Sequence, residues 1–195
     1  MSSSPLPPQL PASSVRLDQF DNAWYEPGAG WLKRTAWFLV NALLIQVAWN
    51  PSSALRVFLL RRFGATVGRG VVIKPSVNIK YPWRLTIGDY VWIGEHCWID
   101  NLANVTIESH VCVSQGALLL TGNHDYKRSD FALITGGIHL EQGSWVGARS
   151  VVGPGTTLAS HAVLAVGSVA GGHLTAYTIY RGNPAVAVRR RHLTA

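Results

Sequence analysis

An aliphatic residue recurs every six positions along this chain from Val67 to Val169, and that period dictates most of what the chain can become. From Val67 the hexads read VGRGVV, IKPSVN and IKYPWR; after Leu85-Thr86 they read IGDYVW, IGEHCW and IDNLAN. After Val105-Thr106 come IESHVC and VSQGAL, then a long interruption, Ile138-His139, and LEQGSW, VGARSV, VGPGTT, LASHAV and LAVGSV. All thirteen hexads open on Val, Ile or Leu. A helical period of 3.6 would scatter those residues around a cylinder, and strict alternation would demand apolar residues far more often. A period of six fits a coil with three flat faces, each face one short strand and each corner one turn. The opening aliphatic points into the prism, the small fifth residue fits the crowded corner, and glycine, frequent in second place, relieves the backbone. Three hexads make a coil of about 18 residues, and coils stack at the strand spacing of about 4.8 Å. The extra dipeptides Leu85-Thr86, Val105-Thr106 and Ile138-His139 each precede a restart, so they widen the same corner in three coils. The expected fold class is an all-β solenoid, a parallel β-helix whose core exists only because coils stack.

The solenoid occupies residues 64–170, with an inserted loop at 121–137. Ahead of it, residues 1–28 are polar and loop-like, and Met1 to Pro11 read as a disordered tail without the order of a signal peptide. Residues 29–63 read as a helical hairpin. Trp31 to Trp49 is strongly apolar, Pro51 stops it, and Ser52 or Ser53 can cap a second helix running to Arg62. Its uninterrupted apolar runs are shorter than the roughly 20 residues a spanning helix needs. Two readings stay open for 31–62: packing on the rest of the protein, or peripheral contact with a membrane. Residues 171–195 form a short C-terminal tail. The balance of 17 Lys+Arg against 10 Asp+Glu comes in short clusters that carry no nucleic-acid-binding motif, so no nucleic-acid partner is expected. Two cysteines, Cys97 and Cys112, form neither a disulfide framework nor a CxxC metal motif. These features place the chain in the cytoplasm, at most peripheral to the inner face of the membrane.

The interruption, TGNHDYKRSDFALITGG from Thr121 to Gly137, gathers His124, Asp125, Tyr126, Lys127, Arg128 and Asp130 between flanking glycines. A long loop inside a regular solenoid marks function or disorder. Histidine suits proton abstraction near neutral pH because its ordinary pKa is about 6.5.

The hexads resemble those of the hexapeptide-repeat acyltransferases. The helical lead-in ending LLRRFGATVG, the NHDYKRSDF loop and the closing GNPA at Gly182 to Ala185 resemble the colanic-acid-biosynthesis acetyltransferase branch. The resemblance spans most of the chain. It implies a left-handed coil, an exception to the usual right-handed crossover, and transfer of acetyl from acetyl-CoA to a hydroxyl of a sugar or glycan intermediate. His124 is then the catalytic base, and no metal is expected. Acceptor contacts are expected from Asp100, Asn101, His96 and Asp125. The CoA arm is expected along the later coils at Gly147, Ser150, Ala165 and Ser168. Where relatives carry a phosphate-binding lysine after the last coil, this chain has Gly171-Gly172, and Arg181 and Arg189 substitute for it on charge grounds. The resemblance further implies a homotrimer with active sites between subunits. Trp92, Trp98 and Trp145, each in sixth place of a hexad, suit a subunit contact, a ligand platform or cover by the N-terminal helices. Two rival functions share the fold: a metal-dependent hydratase of the γ-carbonic-anhydrase kind, which needs three converging histidines, and a non-catalytic scaffold or membrane adaptor. His96, His110 and His124 lie on different columns of the repeat.

Overall fold

The computed structural model describes residues 14–194; the expected tail at Met1 to Pro11 lies outside the described residues. The chain winds as a left-handed parallel β-helix of about six turns whose three sheets hold six, seven and five strands. The first face stacks Thr66–Val67, Leu85–Ile87, Val105–Ile107, Ile138–Leu140, Thr157–Leu158 and His173–Leu174. The extra dipeptides share one register, with Leu85 paired to Val105 and Val105 to Ile138, but they lengthen the strands of this face and do not widen a corner.

The opening aliphatic of each hexad points inward. Ile73, Ile93, Val113, Val146 and Leu164 line the second face, and Ile79, Ile99, Leu119, Val152 and Ala170 the third, all buried. Full burial of such a side chain contributes roughly 1.5–3 kcal/mol, which sustains a dry core one side chain wide. The fifth-place residues Val77, Val91, Cys97, Ala117 and Ser144 are buried as well. Two distinct constraints govern the other places. A Cβ on the second-place Gly94 would lie 2.5 Å from the backbone nitrogen of Gln115 in the next coil, so this glycine permits close approach. The fourth place takes a left-handed backbone except at Pro82 and Leu102, held by Gly70, Gly116 and Gly167 but also by Tyr90, His96, His110, Arg149 and His161.

Helix α1 (Trp31–Val40) continues into a π-helical turn at Asn41–Ile45, and α2 spans Ser53–Arg62 with Ser52 as its N-cap, accepting from the Leu55 amide at 3.1 Å. Both helices pack on the solenoid. The Trp37 indole N–H donates to the Ile79 carbonyl (2.8 Å), and Asn41 donates to the Asn78 side chain (2.9 Å). Arg56 of α2 is wholly buried, and its guanidinium donates to the carbonyls of Ile45, Val47 and Asn50, tying the α1–α2 connection together. Among the described residues no helix is long and apolar enough to cross a membrane. The segment expected as a C-terminal tail extends the solenoid instead. His173–Leu174 joins the first face, and Thr178–Gly182 folds back on Ala185–Arg190 as an antiparallel hairpin that closes the second.

Candidate active site

The interruption leaves the solenoid at the corner between the third and first faces. It is a β-hairpin in which Gly122–His124 pairs antiparallel with Leu133–Thr135. At its tip Arg128 forms an ion pair with Asp130 (2.6 Å) and holds that carboxyl below the usual carboxylate range. Phe131 follows with a left-handed backbone, φ 52°, an uncommon conformation for so bulky a residue. This turn aims the Phe131 carbonyl at His124, whose Nδ1 lies 2.8 Å away. A carbonyl can only accept, so Nδ1 carries the proton and neutral His124 keeps its free lone pair on Nε2. The Phe131 ring stacks on the imidazole at 4.5 Å and Phe20 meets it edge-on at 5.5 Å.

His124 opens onto a cavity of about 650 Å³. One wall belongs to the N-terminal segment: Phe20, Asn22 and Tyr25 line it. The segment is strapped in place, with the Arg16 amide donating to Ser129 of the hairpin (2.8 Å) and the Tyr25 hydroxyl to the Leu102 carbonyl (2.8 Å). Burial pushes the Tyr25 hydroxyl up to about 12, so it remains a donor. The opposite wall carries Lys80 and Tyr81. Neither these nor Phe20 and Tyr25 were anticipated. A coil with the extra dipeptide advances twenty residues, as Val67 paired with Ile87 shows, so counting could have placed Lys80 beside Asp100.

The anticipated acceptor residues separate. Asp100 is largely buried and reaches the cavity only through its ion pair with Lys80 (2.9 Å). Asn101 is fully buried, and its amide accepts from the Tyr81 N–H (2.9 Å) and donates to the Tyr81 carbonyl (2.6 Å); it holds the corner and does not reach the cavity surface. Asp125 lies on the other side of the hairpin, lining a separate cavity with Trp24 and Arg128. His96 stands at the corner between the second and third faces, His110 at the corner between the first and second, so these two and His124 occupy three different edges of one chain.

Of the residues anticipated for the acyl carrier, Gly147, Ala165 and Arg189 line one cavity of about 490 Å³ on the second face, with Trp145 and Val166. Ser150 and Ser168 are buried in the corner: Ser150 donates to the Ala165 carbonyl, and Ser168 accepts from the Gly182 amide. They shape the cavity's backbone without facing it. Arg181 is exposed on the closing hairpin, outside that cavity. The three sixth-place tryptophans also divide: Trp145 lines the second-face cavity, Trp98 a fourth cavity beneath α1, and Trp92 lies under the Lys74 ammonium.

No protein-family profile matches the chain. A relative from Escherichia coli (strain K12), named Putative colanic acid biosynthesis acetyltransferase WcaF, is 39% identical over 166 residues, covering 84% of this chain and 90% of the relative. The chain belongs to the hexapeptide-repeat acetyltransferases. As an acetyltransferase of that family it shares its fold with solved structures at lower identity. The hexapeptide-repeat containing acetyltransferase VCA0836 from Vibrio cholerae superposes with TM-score 0.73 at 23% identity, over 82% of this chain and 90% of that one. A galactoside acetyltransferase in complex with coenzyme A superposes with TM-score 0.72 at 20% identity, over 83% and 82%. VCA0836 has also been solved with acetyl coenzyme A.

Proposed function

We propose that this acetyltransferase moves an acetyl group from acetyl-CoA to a hydroxyl of a sugar or glycan intermediate, with His124 as general base. The observation that carries the proposal is the Nδ1 bond to the Phe131 carbonyl in a residue that lines the cavity, because in the neutral imidazole it puts the free lone pair on Nε2. In the reaction Nε2 takes the acceptor's hydroxyl proton as its oxygen attacks the thioester carbonyl carbon. The tetrahedral oxyanion then collapses, the C–S bond breaks, and the leaving sulfur recovers the proton from the imidazolium. The cavity's hydroxyls, cations and aromatic faces at Tyr25, Tyr81, Lys80 and Phe20 suit a sugar, which combines polar edges with an apolar face.

The donor is assigned to the second-face cavity, where Trp145, Val166 and glycine backbone offer a narrow apolar trough and Arg189 a cation for phosphate. This cavity and His124 lie on different faces of one prism, so a second copy is needed to join them. Surface chemistry favours such an assembly. The outward rows Trp92, Cys112, Trp145 of the second face and Trp98, Leu118, Val151, Val169 of the third are apolar, whereas Thr66, Thr86, Thr106, His139 and Thr157 make the first polar. Two apolar faces per prism suit a closed homotrimer.

The test is CoA release from acetyl-CoA across a panel of sugars, with acetylated product read by mass spectrometry. Acceptor-dependent release with O-acetylated product is expected. Turnover only with amine acceptors would contradict the hydroxyl assignment.

A further inference from the structure

Helix α1 is turned the unusual way round. The stripe it buries against the solenoid, Trp37, Asn41 and Ile45, contains an amide, while its outward side is almost wholly apolar. Trp31, Leu32, Leu39 and Leu43 point away from the protein, Trp31 being 67% exposed, and Phe38, 68% exposed, stands at the rim of the cavity beneath the helix. On a helix these positions follow one another on neighbouring turns and, with exposed Thr35 among them, form one band that runs from the edge of the buried stripe to the side away from it. The band continues beyond α1: Trp49 on the connection is 72% exposed and Phe58 on α2 is 61% exposed. An unpaired apolar band of this size in water is a cost unless something covers it.

Charge indicates what covers it. From Pro27 to Gly88 there is no Asp or Glu, while Lys33, Arg34, Arg56, Arg61, Arg62, Arg69, Lys74, Lys80 and Arg84 are all cations. On α1 the two cations flank the apolar band instead of interrupting it: Lys33 lies over the Trp83 ring (5.1 Å) and Arg34 stands at the lip of the cavities beneath the helix. Arg62 is exposed at the end of α2. Tryptophans near the ends of an apolar band rimmed by cations match the interfacial layer of an anionic bilayer, where indoles sit at headgroup depth and cations meet lipid phosphates. Since no described helix is long enough to span, the contact is with one leaflet.

We infer that α1, with Trp49 and Phe58, docks this enzyme onto an anionic lipid surface. The placement has a consequence for access. Arg34 and Phe38 line a cavity of about 330 Å³ that shares Arg34, Lys80 and Tyr81 with the His124 cavity. A molecule held at the lipid surface therefore enters beside the docked helix.

The test is flotation of the full chain with vesicles of phosphatidylcholine alone, or of equal parts phosphatidylcholine and phosphatidylglycerol, at low and high salt. Binding to the anionic vesicles that weakens with salt is expected. The double variant Trp31→Ser/Leu39→Ser, changed only at outward positions, is expected to bind at least about tenfold less while its thermal unfolding stays cooperative. Arg62→Ser tests the charge arm and should weaken binding without altering the melt. Equal flotation of wild type and double variant, or no flotation of wild type, would overturn the inference. So would a fall in oligomer size, by sedimentation, in the double variant, because the band would then be covered by a second copy.

Discussion

His124 donates from Nδ1 to the Phe131 carbonyl oxygen across 2.8 Å, while the two rings stack 4.5 Å apart. One residue thus sets both the tautomer and the tilt of the imidazole. It does so from a left-handed backbone that its own side chain disfavours. Phe131→Ala keeps the carbonyl and loses the stack, worth about 0.5–1.5 kcal/mol. A fall of about 2- to 10-fold in kcat is expected, with KM for acetyl-CoA unchanged; steady-state kinetics with both substrates varied reads this directly.

Arg56 is a buried cation with no carboxylate partner among the described residues; its Nε and Nη2 donate to three carbonyls of the α1–α2 connection, and its Nη1 is left without a partner. Burial holds its guanidinium below its usual pKa. Arg56→Met leaves those carbonyls unpaired, at about 1–3 kcal/mol. For a chain of this size that predicts a Tm lower by about 2–4 °C per kcal/mol in thermal melts.

The two glycine roles separate by substitution. Gly94→Ala drives a Cβ to 2.5 Å from the Gln115 nitrogen and should destabilise by about 1–3 kcal/mol. Gly153→Ala meets only the Ala170 carbonyl at 3.3 Å and should cost clearly less. Gly167→Ala has open space but a φ of +67°, so about 1–2 kcal/mol is expected from backbone strain alone. Denaturant midpoints of the three variants give the order.

Tyr25 links pH to the strap over His124. Its hydroxyl is pushed by burial from 10 to about 12 in the folded protein. A raised folded pKa means that the stabilisation is fully present below pH 10, shrinks as the unfolded chain ionises first, and is exhausted near pH 12. Tyr25→Phe should flatten the loss of Tm over that interval while lowering Tm at neutral pH through loss of the bond to Leu102. Parallel melts across the alkaline range test this.

The period of six was enough to predict the three-faced prism, the inward columns and the shared register of the three dipeptides, because each depends on residues one coil apart. His124 stands out in the sequence by its place in the single long break, and the fold sets it at a cavity. The strap was not. Phe20 and Tyr25 sit in irregular backbone whose position depends on bonds such as Tyr25 to Leu102, 77 residues away. Asn101 misled because a polar residue beside the expected site reads as a ligand contact, whereas its amide closes a ring with the Tyr81 backbone one coil below. The orientation of α1 was equally hidden, since apolar residues lie on most of the helix and only packing decided that Asn41 would face inward and Leu39 outward.

The central claim, that Nε2 of His124 takes the acceptor proton, is tested most directly by kcat/KM for acetyl-CoA-dependent acetylation in wild type and His124→Ala across pH. The account predicts a loss of about 10²- to 10⁴-fold in the variant, together with disappearance of the ascending histidine limb seen in wild type. A variant that retained wild-type turnover and the same pH limb would contradict it.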